Sequence, residues 1–338
     1  DVCSSDLGLL LMIPNMYKIV GERLPAVIHV SARAIATSSL SIFGDHQDVM
    51  ATRQTGFAML CEGSVQEVMD LSGVAHLTAI KKRMPFLNFF DGFRVSHELQ
   101  KVEVIEQEEL AKLIDYEALE DFRNSALNPN HPVIRGTAQN PDVYFQMAES
   151  INKYYEDIPD VVENYMSEIT KLTGREYHCF DYYGAKDADR IIISMGAVSE
   201  VVEEVVDYLN KNGEKVGLVK VRLYRPFSVE KLLKAIPTSV KKIAVLDRTK
   251  EPGAIGEPLY LDIVKAFNGK ENAPMIIGGR FGLGSKDPTP SDIAAVFKNL
   301  SESKPKDRFT IGIVDDVTNL SLEPVKDIDV AQEGTTAC

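Results

Sequence analysis

Short apolar runs that alternate with helical patterns constrain the fold of this chain more than any other feature. In the second half these runs are RIIIS, VGLVKVRL, KIAVL and PMIIG, at residues 190–194, 216–223, 242–246 and 274–278. Continuous apolar runs of this length are typical of strands buried on both faces of a parallel sheet. Helical patterns separate them near residues 198–209, 229–235 and 258–267, and a last helix follows Thr289. The alternation predicts a mainly parallel α/β sheet flanked by helices.

The first half shows a shorter version of the same alternation. Apolar runs at residues 26–30, 56–61 and 85–90 predict buried strands, and a periodic helical pattern lies between the last two. Acidic and amphipathic helical patterns follow at residues 107–122 and 141–172. The first half is therefore also expected to form a mainly parallel α/β unit.

Two helix starts carry capping-box patterns. Ser64 precedes a helical run and is followed three residues later by Glu67. Thr289 is followed by Pro290 in the first helical turn and by Asp292 three residues after the cap. Such pairs satisfy free N–H groups at a helix N-terminus, so each pattern predicts a helix that begins there.

The two alternations divide the chain into two expected α/β domains, at residues 8–173 and 188–300, with a linker at residues 174–187. Residues 301–338 are expected to be a linker toward a further domain. The first seven residues, DVCSSDL, resemble the read-through of a sequencing-library adaptor. Residues 1–7 are therefore expected to be a non-native leader.

Charge and hydropathy exclude two classes of partner. The net charge is −13 and no Lys/Arg-rich stretch is present, so neither a nucleic acid nor an anionic membrane surface is an expected partner. No apolar run reaches the roughly 20 residues that a membrane-spanning helix needs.

Four scattered cysteines give no metal or iron–sulfur cluster spacing. They are Cys3, Cys61, Cys179 and Cys338. Four scattered thiols in a chain of 338 residues also do not indicate a disulfide framework. The cysteine content therefore favours a reducing cytoplasm.

The segment HVSARAIATSSLSIFGDHQDVMATRQ, residues 29–54, holds the main candidate site residues. Ser31 and Arg33 follow a predicted strand, and open α/β sheets bind ligands at the carboxyl ends of their strands. The Arg33 guanidinium could hold a small carboxylate through two hydrogen bonds, although a salt bridge or an interface contact would also explain an arginine here.

A second group of candidate residues follows in the same segment. Asp45, His46 and Gln47, together with Asp48, could support acid–base chemistry, because histidine titrates near neutrality and carboxylates can orient it. A polar loop or a packed interface is the alternative. The same two interpretations apply to residues 91–97, where a predicted strand ends in a glycine turn.

Three stretches resemble a known family. They are residues 29–79, the run PFLNFFDGFRVSHELQKVE and the run HPVIRGTAQNPDVYFQ, and they are similar to the later part of the first domain of pyruvate:ferredoxin oxidoreductases. Residues 190–300 resemble that family's second, transketolase C-terminal-like domain, and the tail to EGTTAC resembles the lead into the third. The first domain is accordingly expected to be part of a pyrimidine-binding-type domain of thiamine enzymes.

The resemblance implies a thiamine-diphosphate and iron–sulfur enzyme. Such an enzyme decarboxylates pyruvate oxidatively with coenzyme A, forms acetyl-CoA and CO₂, and reduces ferredoxin or flavodoxin. Arg33 occupies the family's position for the pyruvate carboxylate. The implied cofactors are thiamine diphosphate with Mg²⁺, [4Fe–4S] clusters and coenzyme A, none of them held entirely by this chain. A homodimer, completed by missing domains of the same polypeptide, is implied as well.

Alternative interpretations follow from the same features. The chain could derive from another 2-oxoacid:ferredoxin oxidoreductase or a transketolase-like subunit, or it could be a non-catalytic assembly module. If the chain is part of a pyruvate:ferredoxin oxidoreductase, the isolated chain is expected to be inactive, because the cluster cysteines and the diphosphate site would lie elsewhere.

Overall fold

The computed structural model describes residues 2–4, 6–326 and 328–330. In this part of the chain, two mainly parallel sheets are flanked by helices, which confirms the predicted α/β class. The strands are β1 Val2–Ser4, β2 Val27–Ala32, β3 Ala58–Glu62, β4 Phe86–Asp91, β5 Phe180–Gly184, β6 Arg190–Ser194, β7 Val216–Val221, β8 Leu223–Arg225, β9 Lys242–Asp247, β10 Met275–Arg280 and β11 Phe309–Thr310. The helices are α1 Asp6–Leu11, α2 Ile13–Gly21, α3 Gln47–Thr52, α4 Val65–Lys82, α5 Gln107–Lys112, α6 Tyr116–Asn124, α7 Tyr144–Glu149, α8 Ile158–Thr173, α9 Val198–Lys211, α10 Val229–Ala235, α11 Pro258–Phe267 and α12 Pro290–Ser301.

The first sheet has the strand order β1-β2-β4-β3-β8. Strands β1 to β4 pair in parallel, and β8 pairs antiparallel with β3. Helix α4 crosses the face of β2, β3 and β4 and packs against α8. The carboxyl ends of β2 and β4 therefore meet at one edge, and Ser31 and Arg33 lie there as predicted.

The second sheet has the order β11-β10-β9-β6-β7-β5. Its strands are parallel except β5, which runs antiparallel to β7 along the sheet edge. The four apolar runs of the second half form β6, β7, β9 and β10, so these strand predictions are confirmed.

One predicted strand is interrupted. The run at residues 216–223 was expected to be continuous, but it breaks at Arg222 and its end begins β8 in the other sheet. Arg222 is buried, and its guanidinium pairs with Glu67 at 2.5 Å and with Asp181. A buried guanidinium needs anionic partners. These two pairs hold Arg222 at the point where the chain passes from one sheet to the other.

Strands also occur in the segments predicted as leader and linkers. Strand β1 lies within residues 1–7, β5 lies within residues 174–187, and β11 lies within residues 301–338. One hydrophobic cluster contains side chains of both sheets, including Leu60, Val219 and Ile243. The division into two domains stays a prediction.

Both helix caps form where the sequence placed them. Thr289 Oγ1 accepts from the Asp292 backbone N–H, and the Asp292 carboxylate accepts from the Thr289 N–H, which completes the predicted box. Ser64 Oγ accepts from the Glu67 N–H, but the Glu67 carboxylate accepts from the Gly63 N–H at 2.7 Å. The return hydrogen bond of this second capping box therefore comes from Gly63, one residue before the N-cap, and not from Ser64 itself.

In the described part of the chain, no helix combines the length and the apolar character needed to cross a membrane.

Candidate functional site

Arg33 lies directly after β2, where its backbone N–H donates to Asp48 Oδ2 at 3.0 Å. One guanidinium nitrogen donates to the Ile42 carbonyl oxygen at 3.2 Å. The guanidinium carbon lies 4.5 Å from the centre of the Phe93 ring, which makes a cation–π contact. Arg33 forms no salt bridge with any residue that the structure describes, so its charge is not neutralised by a neighbouring carboxylate.

Two polar atoms at this edge are buried without a hydrogen-bond partner among the described residues. They are Arg33 Nε and Ser31 Oγ. Leaving a buried polar group unpaired costs about 1–3 kcal/mol, so native proteins keep such groups mainly where a ligand or water completes them. The two atoms belong to residues separated by one position at the carboxyl end of β2.

Aromatic rings border the arginine. Phe93 stacks on His97 with ring centres 4.6 Å apart and planes 9° apart, and it contacts Phe43 at 5.1 Å. Its backbone has a φ of 63°, a left-handed conformation that is unfavourable for a bulky residue. Such local strain is concentrated at functional sites, where surrounding contacts hold it. The strained turn fixes the Phe93 ring beneath the Arg33 guanidinium.

Two glycines allow the loop before α3 to approach β4. A Cβ atom at Gly44 would lie 2.0 Å from the Gly92 carbonyl oxygen, and one at Gly92 would lie 2.3 Å from the Ala32 carbonyl oxygen. Any larger residue would push these backbones apart. The contact holds the loop that supplies the Ile42 carbonyl against the end of the sheet.

Asp45 and Gln47 stabilise this loop from within. Asp45 is fully buried, and its carboxylate accepts from the Gln47 backbone N–H at 2.9 Å and from the Gln47 amide at 2.8 Å. It also accepts from the Gly284 N–H at 3.1 Å, which ties the loop to the second sheet. In this arrangement the side chains of Asp45 and Gln47 hold the loop by bonding to each other and to Gly284.

His46 belongs to a buried ionic cluster with Asp91 and Arg248. His46 Nε2 donates to Asp91 Oδ1 at 2.8 Å, and an Arg248 nitrogen donates to the same oxygen at 2.7 Å. The other Asp91 oxygen accepts from the Ala197 backbone N–H at 2.6 Å. Burial alone would raise the pKa of Asp91, but the charges of His46 and Arg248 hold it well below its usual range. His46 is 1% exposed, so a packed interface describes it better than an accessible acid–base group.

Asp48 supports the backbone of the site. Its carboxylate accepts from the Arg33 N–H at 3.0 Å, the Asp6 N–H at 2.8 Å and its neighbour Val49 N–H at 2.7 Å. Complete burial raises the pKa of Asp48 to about 7. Asp48 thus fixes the direction in which the chain leaves β2.

The structure places Ser31 and Arg33 at the carboxyl end of β2, and it places Asp45, His46 and Gln47 in the loop and at the start of α3, which pack against this edge. Sequence reasoning did not single out Phe93 as the ring under the arginine, nor Arg248 at the end of β9. Arg248 follows an apolar run just as Arg33 does, so the rule of strand ends could have indicated it.

Metal ligands are not gathered in the described part of the chain. No group of three or more His, Cys, Asp or Glu side chains there could hold a metal ion. The described cysteines Cys61 and Cys179 are both free thiols and buried, and burial raises the pKa of each. A buried thiol with a raised pKa is a weak nucleophile, because the thiolate is the reactive form.

The fold places this protein among the open, mainly parallel α/β proteins, a class that binds its ligands at the carboxyl ends of the strands. Residues 2–167 match the family described as pyruvate flavodoxin/ferredoxin oxidoreductase, thiamine diphosphate-binding. Residues 188–293 match the core domain II of pyruvate:ferredoxin oxidoreductase. The chain belongs to the pyruvate flavodoxin/ferredoxin oxidoreductase family.

Curated relatives have similar sequences along nearly the whole length of this chain. It is 64% identical over 332 residues to a pyruvate-flavodoxin oxidoreductase of Klebsiella pneumoniae and 61% identical over 333 residues to a pyruvate:ferredoxin oxidoreductase of Moorella thermoacetica. Each alignment covers 98% of this chain but only 28% of the relative. The chain therefore corresponds to a little over a quarter of these proteins.

A solved structure shares the fold. It is a 2-oxoglutarate:ferredoxin oxidoreductase from Magnetococcus marinus with 2-oxoglutarate, coenzyme A and succinyl-CoA bound. The TM-score is 0.58 with 15% identity, over 89% of this chain and 53% of that one. At this identity the likeness concerns the fold.

Proposed function

We propose that this chain forms the substrate side of a pyruvate:flavodoxin or pyruvate:ferredoxin oxidoreductase and that Arg33 binds the pyruvate carboxylate. The observation that supports this role is the pair of buried, unpartnered atoms, Arg33 Nε and Ser31 Oγ, at one strand end. A carboxylate has two oxygens, which the guanidinium can hold in a bidentate pair while the serine hydroxyl donates a third hydrogen bond.

The surroundings of Arg33 suit a substrate with a small apolar group. Ile42 and Phe43 are about half exposed beside the guanidinium, and Phe93 covers one face of it. When a bound molecule covers these side chains it excludes water, and the attraction between guanidinium and carboxylate becomes stronger in the less polar surroundings. The Phe93 ring also limits the directions in which the Arg33 guanidinium can point.

The described residues fit the substrate carboxylate better than they fit the whole cofactor. Thiamine diphosphate, when bound, supplies an electron sink for cleavage of the carbon–carbon bond. Its Mg²⁺ would need a set of oxygen ligands that the described residues do not gather. We therefore assign Arg33 and Ser31 to binding and orientation of pyruvate, and the diphosphate, the [4Fe–4S] clusters and the coenzyme A site to other parts of the full-length protein.

An exposed segment supports the need for such other parts. Residues 98–150 bury almost no side chains, and Leu99, Ile134 and Phe145 are largely exposed there. Apolar side chains concentrated in one segment usually mark a surface that another protein part covers. We propose that missing domains of the same polypeptide and the second copy of a homodimer cover it, and that the enzyme is cytoplasmic with ferredoxin or flavodoxin as electron acceptor.

The test uses Arg33 variants of the full-length enzyme. Arg33→Lys keeps the charge but loses the bidentate fork, so kcat/KM for pyruvate should fall roughly 30- to 1000-fold, with a larger loss for Arg33→Ala. Arg308→Lys, on the surface of the second half, is the matched control and should leave kcat/KM unchanged.

Two further measurements separate binding from folding. Electron transfer from chemically reduced enzyme to ferredoxin should remain in every Arg33 variant, because that step does not use pyruvate. Wild-type pyruvate kinetics in Arg33→Ala would remove Arg33 from the site. A preference for 2-oxoglutarate over pyruvate in the wild-type enzyme would replace the proposed substrate.

A further inference from the structure

Three arginines gather at the edge of the first sheet opposite Arg33. Arg23 lies shortly before β2 and Arg83 lies shortly before β4, and these parallel strands start side by side, with Val27 paired to Phe86. Arg135 comes from the exposed segment and adjoins Gly136, where a Cβ atom would lie 3.8 Å from Glu22 Oε1, beside Arg23. Burial, together with the positive charges of Arg23 and Arg135, lowers the pKa of Arg83.

Aromatic rings hold two of these guanidinium groups. The Arg23 guanidinium carbon lies 3.6 Å from the centre of the Tyr154 ring, and that of Arg83 lies 5.6 Å from the centre of the Phe122 ring. Arg83 also donates to Ser125 Oγ at 3.0 Å. Each guanidinium has five N–H donors, so these contacts fix its position while leaving donors free.

Carboxylates near these arginines are engaged elsewhere. Lys18 pairs with Glu22 at 3.1 Å and Lys82 pairs with Asp157 at 2.7 Å. None of the three arginines forms a salt bridge with a residue that the structure describes, and Asp121 acts on Arg83 only from a distance. No salt bridge to a described residue therefore neutralises these arginines, in a chain whose net charge is −13.

Unpartnered donors accompany this charge. Arg23 Nε and Arg83 Nε are both buried, and neither has a hydrogen-bond partner in the part of the chain that the structure describes. The field of Arg23 also lowers the pKa of the Tyr154 hydroxyl, which lies in the same positive region. Like charges that are held together without a counter-ion are unfavourable, so the arrangement is stabilised by any anion that binds between them.

We propose that Arg23, Arg83 and Arg135 bind a small phosphate-type polyanion, a diphosphate group, either free or as part of a nucleotide. Three cations match a ligand with two or more negative charges, and the guanidinium fork matches the oxygens of a phosphate. Strands β2 and β4 have six residues each, so the site lies about 20 Å from Arg33. The proposal is therefore independent of the proposed pyruvate site.

The experiment titrates inorganic pyrophosphate by calorimetry into the full-length enzyme, already saturated with thiamine diphosphate and Mg²⁺, at low and at physiological ionic strength. We expect saturable binding that weakens as salt increases. Arg23→Gln and Arg83→Gln should each weaken binding about tenfold or more, since each removes charge-assisted hydrogen bonds. Arg308→Gln changes the net charge by the same amount on a distant surface and should bind pyrophosphate like the wild type.

A further variant controls for unfolding, and further ligands distinguish the anions that the site could bind. Arg83→Lys keeps the charge without the fork and should give an intermediate affinity at an unchanged melting temperature. ADP that binds more tightly than pyrophosphate would assign the site to a nucleotide, and equal affinity would assign it to the free anion. Succinate binding as tightly as pyrophosphate, no pyrophosphate binding, or equal binding by the arginine variants and Arg308→Gln would each overturn the proposal.

Discussion

Asp91 and Arg248 lie 157 positions apart in the chain, yet an Arg248 nitrogen donates to Asp91 Oδ1 at 2.7 Å inside the protein. Asp91 ends β4 of the first sheet, and Arg248 follows β9 of the second. Arg248 also donates to the Gly282 carbonyl oxygen at 3.0 Å and pairs with Asp287 at 2.5 Å. With His46, the pair connects the two sheets beneath the loop that borders Arg33.

Asp91→Asn should destabilise the chain because it leaves Arg248 buried with less compensating charge. We expect a loss of about 3–5 kcal/mol in the free energy of unfolding at pH 7, measured by urea denaturation. Asp187→Asn removes an exposed partner of Lys215 and should have little effect. Equal denaturation midpoints for these two variants would contradict the assigned role of Asp91.

The same residue predicts a pH dependence. Because the folded protein holds the pKa of Asp91 below its unfolded value, the resulting stability is present above about pH 4 and is lost as the pH falls through the folded pKa. Wild type should therefore lose more stability than Asp91→Asn when the pH falls below about 4. Parallel losses in the two proteins would show that Asp91 does not contribute to this acid sensitivity.

Glu62 predicts the opposite pH dependence. Both carboxylate oxygens are buried and lack a hydrogen bond of good geometry among the described residues; although Asn88 lies close enough to oppose the shift, burial and then the charge of Glu67 raise the pKa of Glu62 well above its usual range. The protonated form therefore favours folding, and that stability is lost as the pH rises above the unfolded value of about 4.3. Glu62→Gln should gain melting temperature over wild type at pH 8 and gain less at pH 5, whereas the exposed Glu204→Gln should show no such difference.

Strands with apolar runs could be predicted from the sequence, and strands without them could not. RIIIS and KIAVL are buried along nearly their whole length and carry that signal. FDYYG, which forms β5, lies at a sheet edge with most of its side chains half-exposed, so it has no apolar run. Its pairing with β7 depends on contacts that local sequence does not contain.

The position of Arg33 could be predicted in the same way, but its surroundings could not. The end of the apolar run AVIHV placed Arg33 near the carboxyl end of a strand. Its contacts with the Ile42 carbonyl and the Phe93 ring arise from a loop and from a turn after another strand. Both depend on the close approach of Gly44 to Gly92, which no periodicity indicates.

Thr289→Ala should remove the side-chain cap of α12. Thr289 Oγ1 accepts from the Asp292 N–H, and its loss leaves that donor unpaired at the start of a helix. We expect a loss of about 1 kcal/mol in unfolding free energy, measured by thermal denaturation with Thr289→Ser as the control that keeps the hydroxyl. Equal stability of the Ala and Ser variants would show that the cap contributes nothing.

The isolated chain should not oxidise pyruvate. The chain spans 28% of the length of its curated relatives, and the proposed diphosphate and cluster sites lie in other parts. We expect no pyruvate-dependent reduction of a dye by the chain with thiamine diphosphate, Mg²⁺ and coenzyme A, under conditions in which the full-length enzyme reduces it. Turnover by the chain would show that these residues hold a complete catalytic site.

Phe93 should affect pyruvate binding through Arg33. The ring lies 4.5 Å from the guanidinium carbon, and a partly buried cation–π contact contributes about 0.5–2 kcal/mol. In the full-length enzyme, Phe93→Leu should therefore raise the KM for pyruvate about 2- to 30-fold with a smaller change in kcat. Phe93→Tyr keeps the ring face and should restore the wild-type KM. If the Leu and Tyr variants share one KM at equal thermal stability, the ring does not position Arg33, and its strained backbone at a φ of 63° needs another explanation.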